Sequence, residues 1–130
     1  MASVREQVVR EAVGVFDRHG PESILPYLTD DVVWQEDPDW PGGSTYIGHE
    51  GVRTALGQLL DSMDFESELE ELVERGDRVL VGMHWTGQGS ASGIEVDQRA
   101  TIVFTLRDDL ISRVEFFFDL ERARAALEAG

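Results

Sequence analysis

Two adjacent carboxylic acids, Glu36 and Asp37, stand in a segment unlike the rest of the chain. The stretch from Asp30 to Gly51 reads DDVVWQEDPDWPGGSTYIGHEG and surrounds them with a strand-like apolar run, Trp34 and Trp40, and a Pro/Gly turn. A carboxylate set among aromatic side chains is disfavoured in its charged form, which moves its pKa towards neutrality. Such a group can give or take a proton on a small molecule. The same residue types also build structure, because Asp37 and Asp39 beside Pro38 and Pro41 have the composition of a turn. The sequence leaves both roles open.

What the chain lacks narrows the chemistry. Its Lys and Arg total 11 and every one is arginine, and cysteine is absent. Schiff-base catalysis, lysine and cysteine nucleophiles, disulfides and thiolate zinc sites are therefore excluded. No Gly-x-Ser-x-Gly elbow exists, since Gly89 to Gly93 reads GSASG with Ala91 at its centre. The GQGSASG piece joins two strand-like runs, so it is a hairpin connection; a phosphate-binding loop would open a helix. Proton chemistry is left to carboxylates, to His19, His49 and His84, and to Tyr27 and Tyr46. His49 falls at a helix start, and His49, Glu50 and Asp37 lack metal-ligand spacing. No cofactor or metal is expected.

The formal charge of −15 argues against nucleic acid and anionic membranes as partners, because both need basic surface. The run Glu66, Glu68, Glu70, Glu71 and Glu74 reads as a solvated face. With 130 residues and 42% apolar content, one domain over residues 1–130 with a single core is expected. No apolar run is long enough to span a bilayer, and the charged start MASVREQVVREAVGVF lacks a signal-peptide stretch. These features predict a cytoplasmic location.

The elements that must position the acids can be read in order. Ser3 and Glu6 form a capping-box pattern before Val8, Val9, Ala12, Val13 and Phe16, which recur on one helix face. Gly20 and Pro21 stop that helix and start a short second one through Ile24, Leu25 and Leu28, kept short by Pro26. Val32 to Glu36 reads as a strand ended by DPDWPGG. A helix from about His49 to Met63 carries the stripe Val52, Leu56, Leu59, Leu60 and Met63. Phe65 to Glu74 fits a helix through Phe65, Leu69, Leu72 and Val73, and a strand face through Phe65, Ser67, Leu69 and Val73. Val79 to Gly87, Ile94 to Leu106 and Leu110 to Asp119 are strand runs, and Leu120 to Glu128 a closing helix. Helices first and an antiparallel meander afterwards predict an α+β domain.

The pieces DDVVWQEDP, YIGHEGVRTAL, RGDRVLVGMHWTGQGSASGIEVD and FTLRDDLISRVEFFFDLERARAALEAG together resemble one family over essentially the whole chain. It is the SnoaL-like branch of the nuclear transport factor 2-like, or ketosteroid-isomerase-like, superfamily. The resemblance implies a cystatin-like topology: a cone-shaped, curved antiparallel or mixed sheet wrapped around the N-terminal and central helices, with an apolar pocket at the open end. It also implies that Phe65 to Glu74 is a strand and that two copies pair through the outer sheet face. Alternation then puts Val79, Val81, Met83 and Trp85, then Gln98, Ala100, Ile102, Phe104 and Leu106, then Val114, Phe116 and Phe118 towards the cup. His84, Val103 and Phe117 fall on the outer face.

The activities of the superfamily match in part. The acid–arginine–acid set of its limonene epoxide hydrolases falls on Trp85, Met83 and Phe116, all apolar, so that route is absent. The aspartate base of ketosteroid isomerases falls on Asp37, but their oxyanion donors, a tyrosine and an acid, fall near Ala12 and Thr101 or Ala100, so those two donors are missing. The resemblance therefore implies an acid–base isomerase or polyketide-cyclase-like enzyme acting on a hydrophobic or aromatic carbonyl compound. Asp37 or Glu36 would move the proton, and Gln98 would orient the carbonyl. Trp34, Trp40, Met83, Trp85, Phe116 and Phe118 would shape the cup. The competing reading is a non-catalytic module of the same fold that binds a hydrophobic ligand or dimerises.

Overall fold

Ser3 caps the first helix as the spacing predicts, its hydroxyl accepting the Glu6 N–H at 3.1 Å. Glu6 does not reach back to complete the box; its carboxylate pairs with Arg10 one turn along α1 (Val4–His19). The Ser3 hydroxyl also donates to Glu74 at 2.5 Å and so ties the start of α1 to the sheet. Gly20 ends the helix at φ +85°, a left-handed conformation that glycine adopts without strain, and its N–H donates to the Phe16 carbonyl. The short second helix is a 3₁₀ helix over Pro21–Tyr27, with Pro26 inside it.

The computed structural model describes residues 3–37, 44–89 and 93–128. After the 3₁₀ helix come β1 (Leu28–Gln35), β2 (Thr45–Ile47), α2 (Gly48–Ser62), β3 (Met63–Arg75), β4 (Arg78–Gly89), β5 (Glu95–Arg107), β6 (Leu110–Phe117) and α3 (Leu120–Glu128). They form one curved, unclosed six-stranded sheet in the order β2-β1-β6-β5-β4-β3. The neighbours pair antiparallel except β1 and β6, which run parallel. The chain is therefore α+β with a mixed sheet, as expected. β2 is a three-residue strand that the sequence reading did not contain. Among the described residues, no helix is long and apolar enough to cross a membrane.

Phe65 to Glu74 lies within β3, a strand, with a correction to its face pattern. Leu69 pairs with Met83, but Glu71 pairs with Gly82, so Glu70 is an extra residue in a bulge. A bulge of one residue swaps the faces beyond it. Leu72 consequently joins Val81 and packs on the main core, while Val73 joins Leu80 on the other side. The β5–β6 turn places Asp108 and Asp109 at φ 54° and 64°, the pair of left-handed residues that a two-residue hairpin loop requires. Beside it Arg107 bonds Asp31 on β1 at 2.6 Å and holds that carboxyl below its ordinary range.

Two apolar clusters lie on opposite faces. The main one joins Val9 and Ala12 of α1, Val52 and Leu56 of α2, and the inward residues of β1, β4, β5 and β6. The smaller one joins Leu80 and Val103 to Ala123 and Leu127 of α3, with Val73 and Phe117 against it. α3 thus covers part of the outer face. α2 approaches β2 closely: a Cβ on Gly51 would lie 3.1 Å from Tyr46 Cβ and 3.2 Å from its carbonyl carbon, whereas one on Gly57 meets nothing within 4 Å. Gly51→Ala should therefore destabilise the protein by about 1–2 kcal/mol through overpacking. Gly57→Ala should stabilise it by about 0.5–1 kcal/mol by reducing backbone freedom of the unfolded chain. Urea unfolding of both variants checks the pair.

Candidate functional site

The inward faces meet in a cavity. From the sheet, Trp34 (β1), Ser67 (β3), Met83 and Trp85 (β4), Ile102 and Phe104 (β5), and Ile111, Val114 and Phe116 (β6) line it. Ala12, Val13 and Phe16 of α1, Ile24 of the 3₁₀ helix, Leu28, and Leu56 of α2 complete the described wall. Its interior measures about 80 Å³ within about 650 Å³ of atom-free space that reaches solvent. That interior is several times the ~10–15 Å³ that one water occupies on the same measure. Phe116 stands between the tryptophans, its ring 5.1 Å from Trp34 and 6.4 Å from Trp85, both tilted. Tilted aromatic pairs contribute about 0.5–1.5 kcal/mol each beyond their buried area, so these rings form a firm wall. Ser67 is the one hydroxyl among the described lining residues, and none of them carries an ionisable group.

The acids lie elsewhere. Asp37 is fully buried. Its Oδ2 accepts the Phe118 N–H at 2.7 Å, and the Arg122 guanidinium lies 3.0 and 3.1 Å from its two oxygens. Arg122 belongs to α3, whose Ala123 and Leu127 pack on Leu80 and Val103. Those two residues alternate with Val79, Val81, Ile102 and Phe104, which face the core side. Asp37 is thus bonded to the helix that covers part of the outer face, and it is not among the described lining residues of the cup. The expected place in the cup wall is not found among the described residues: β1 ends at Gln35, and the buried carboxylate of Asp37 takes Arg122 as its counter-ion.

A family model described as a SnoaL-like domain matches residues 9–114. The chain belongs to the SnoaL-like domain family. Solved structures agree on the fold. A nuclear transport factor 2-like protein of unknown function from Burkholderia pseudomallei is 21% identical with a TM-score of 0.83, covering 97% of this chain and 98% of its own. TerC, co-crystallised with polyporic acid, is 24% identical with a TM-score of 0.79, covering 97% and 99%. A protein from Jannaschia sp. CCS1, named for its likeness to SnoaL polyketide cyclases, is 20% identical with a TM-score of 0.78, covering 100% and 97%. None of the curated proteins matches the sequence significantly.

Within this SnoaL-like cup the remaining expected residues divide. Trp34, Met83, Trp85 and Phe116 meet in the wall. Glu36 is half-buried just past the end of β1, and its Oε1 accepts the Ser44 N–H at 3.2 Å. It is not among the described lining residues. Gln98 pairs with Trp85 and shares its face, but it is exposed and its amide donates to the Arg99 carbonyl at 2.9 Å. β5 runs past the cup there, so the correct face does not bring Gln98 into the cavity. Phe118 is 38% exposed and lies beyond the end of β6, where alternation no longer sets its direction. Trp40 lies outside the described residues. Ser67 was missed as a site residue, although its place between Phe65 and Leu69 at period two was the signal.

The other polar candidates serve the frame. Tyr46 donates to Gln58 Oε1 at 2.9 Å, and a His49 ring nitrogen lies 3.4 Å from the Leu28 carbonyl. His84 Nε2 lies 2.6 Å from Asp97 Oδ1 on the outer face, near the Arg99–Glu70 pair. A second copy on this face would meet those charges beside α3. Among the described residues no group of three His, Cys, Asp or Glu could hold a metal ion.

Asp37→Ala should destabilise the protein by about 3 kcal/mol, because Arg122 and the Phe118 N–H lose a buried partner. Arg122→Ala should also destabilise, by leaving the buried carboxylate without its guanidinium, and the double variant should lose less than the two effects combined. Chemical denaturation of the four proteins measures the coupling.

Proposed function

We propose that the cup binds a small, uncharged, largely hydrophobic or aromatic molecule, with carbonyl compounds as the first class to test. The carrying observation is the wall itself: Trp34, Met83, Trp85 and Phe116 around a cavity with no ionisable side chain among the described lining. An apolar molecule entering such a cavity leaves water, which stabilises the complex by about 25 cal/mol per Å² of apolar surface removed. A charged ligand would lose its hydration without a counter-ion in the wall. The overall charge of −15 further disfavours anions. A neighbour of the same fold crystallised with polyporic acid supports the search for an organic ligand.

The tryptophans supply a direct readout. Naphthalene or 1-tetralone should raise the melting temperature and change the emission of Trp34 and Trp85. Val13→Phe, which fills the cavity from α1, should weaken both responses at least tenfold while far-UV circular dichroism stays unchanged. Wild-type protein that shows no shift and no emission change with either probe up to its solubility limit would end this reading.

A second reading, acid–base turnover of a carbonyl compound, is favoured by the position of Glu36. It stands two residues on from Trp34 and is half-buried, while Asp37 is bonded to Arg122 and Phe118. Glu36 would exchange the proton on a ligand carbon or oxygen at the mouth. On any carbonyl compound the protein converts, Glu36→Gln should reduce turnover by at least a hundredfold and leave probe binding intact. Unchanged turnover in that variant removes the acid–base role.

A further inference from the structure

We infer that the cup recognises only the hydrocarbon part of its ligand and admits no oxygen or nitrogen atom to its interior. A pure hydrocarbon is then the preferred class, and a carbonyl compound enters by an apolar end that leaves its oxygen in water. This inference rests on the reading of the cup as a hydrophobic-ligand site and states which part of a ligand that site takes.

The wall has nothing to offer a polar atom. The surface that the described lining presents to the cavity is almost wholly apolar. Ser67 and Trp85, opposed on β3 and β4, each have an interaction of their own. The flanking acids Glu66 and Glu68 pair with Thr86 and His84, so they project to the opposite face and are exposed. Gln98 shares the face of Trp85, yet it is exposed and its amide donates to the Arg99 carbonyl at 2.9 Å. The backbone is no substitute, because the strands that build the sheet side of the wall spend their N–H and C=O groups on one another.

An oxygen carried into this interior loses its water and gains no partner, a cost that a hydrocarbon does not meet. An oxygen on a flexible tail escapes that cost, because the cavity reaches solvent and the apolar end alone can fill it. The interior measures about 80 Å³, where one water takes ~10–15 Å³, so a body of about one or two six-membered rings has room. Its surroundings suit aromatic and saturated rings alike. Phe116 is tilted 47° to Trp34 and 44° to Trp85, and Val13, Ile24 and Ile111 add aliphatic surface. Recognition is then by shape and dehydration, with no hydrogen bond to fix a polar group inside.

The test titrates two matched pairs into the wild-type protein by calorimetry. In tetralin and 1-tetralone the oxygen is on the ring body; in butylbenzene and benzylacetone it is on a flexible tail. Tetralin should bind about tenfold or more tightly than 1-tetralone, with a negative heat-capacity change. Benzylacetone should stay within about threefold of butylbenzene, because its oxygen remains in water. Val13→Phe, which fills the cavity, should weaken tetralin and benzylacetone by about tenfold or more while far-UV circular dichroism stays unchanged. If 1-tetralone binds as tightly as tetralin, or benzylacetone loses as much against butylbenzene as 1-tetralone loses against tetralin, this inference is overturned while the hydrophobic site stands. If none of the four binds, or if Val13→Phe binds them all as the wild type does, the hydrophobic-site reading falls and this inference falls with it.

Discussion

The parallel pairing of β1 with β6 is the junction on which both faces of the sheet depend. β1 and β6 are far apart in sequence, and a parallel pair needs a long crossover, here supplied by β2, α2 and the β3–β5 meander. In register, Trp34 meets Val114, and Phe116 follows to take the Trp34 ring on the inner side. Just past the same strands, Asp37 accepts from the Phe118 backbone and pairs with Arg122. One alignment thus builds an aromatic wall on one face and anchors α3 on the other.

That division explains why an acid-rich protein has an apolar cup. Strand alternation sends Glu66, Glu68, His84, Asp97 and Arg99 outward while Ser67, Met83 and Trp85 turn inward. Charges that need water or counter-ions keep them on the outer face, as in the Arg99–Glu70 and His84–Asp97 pairs. The exposed edge strand β3 gains from the same arrangement. Its glutamates and its bulge disfavour edge-to-edge association with another strand.

The Asp37–Arg122 pair shows how one residue type can serve opposite purposes. A buried carboxylate without a cation would be a strong candidate for proton exchange, whereas one bonded to a guanidinium and a backbone N–H is a fastener. Membership in the SnoaL-like family fixes the fold but not the task of the acid in this segment, since one fold supports many chemistries.

Much of this was legible in the sequence for simple reasons. Capping by Ser3, the stop at Gly20 and Pro21, and the period-two runs in β4 and β5 are local, and local chemistry decides them. Trp34, Met83, Trp85 and Phe116 were found as wall residues because alternation on a strand is rigid. The face of Val73 was not legible, because a bulge depends on pairing with a neighbouring strand. Nor were the directions of Gln98 and Phe118, since knowing the face does not tell where the cup ends. The partner of Asp37 lies on α3, far along the chain, and no local pattern announces a contact made only when β1 and β6 align. Composition and periodicity determined most elements and an apolar inner face, but not β2 or the choice of a strand for Phe65 to Glu74. Tertiary structure alone decided which polar groups reached that face, because burial of a charge is settled by whatever counter-ion the fold brings beside it.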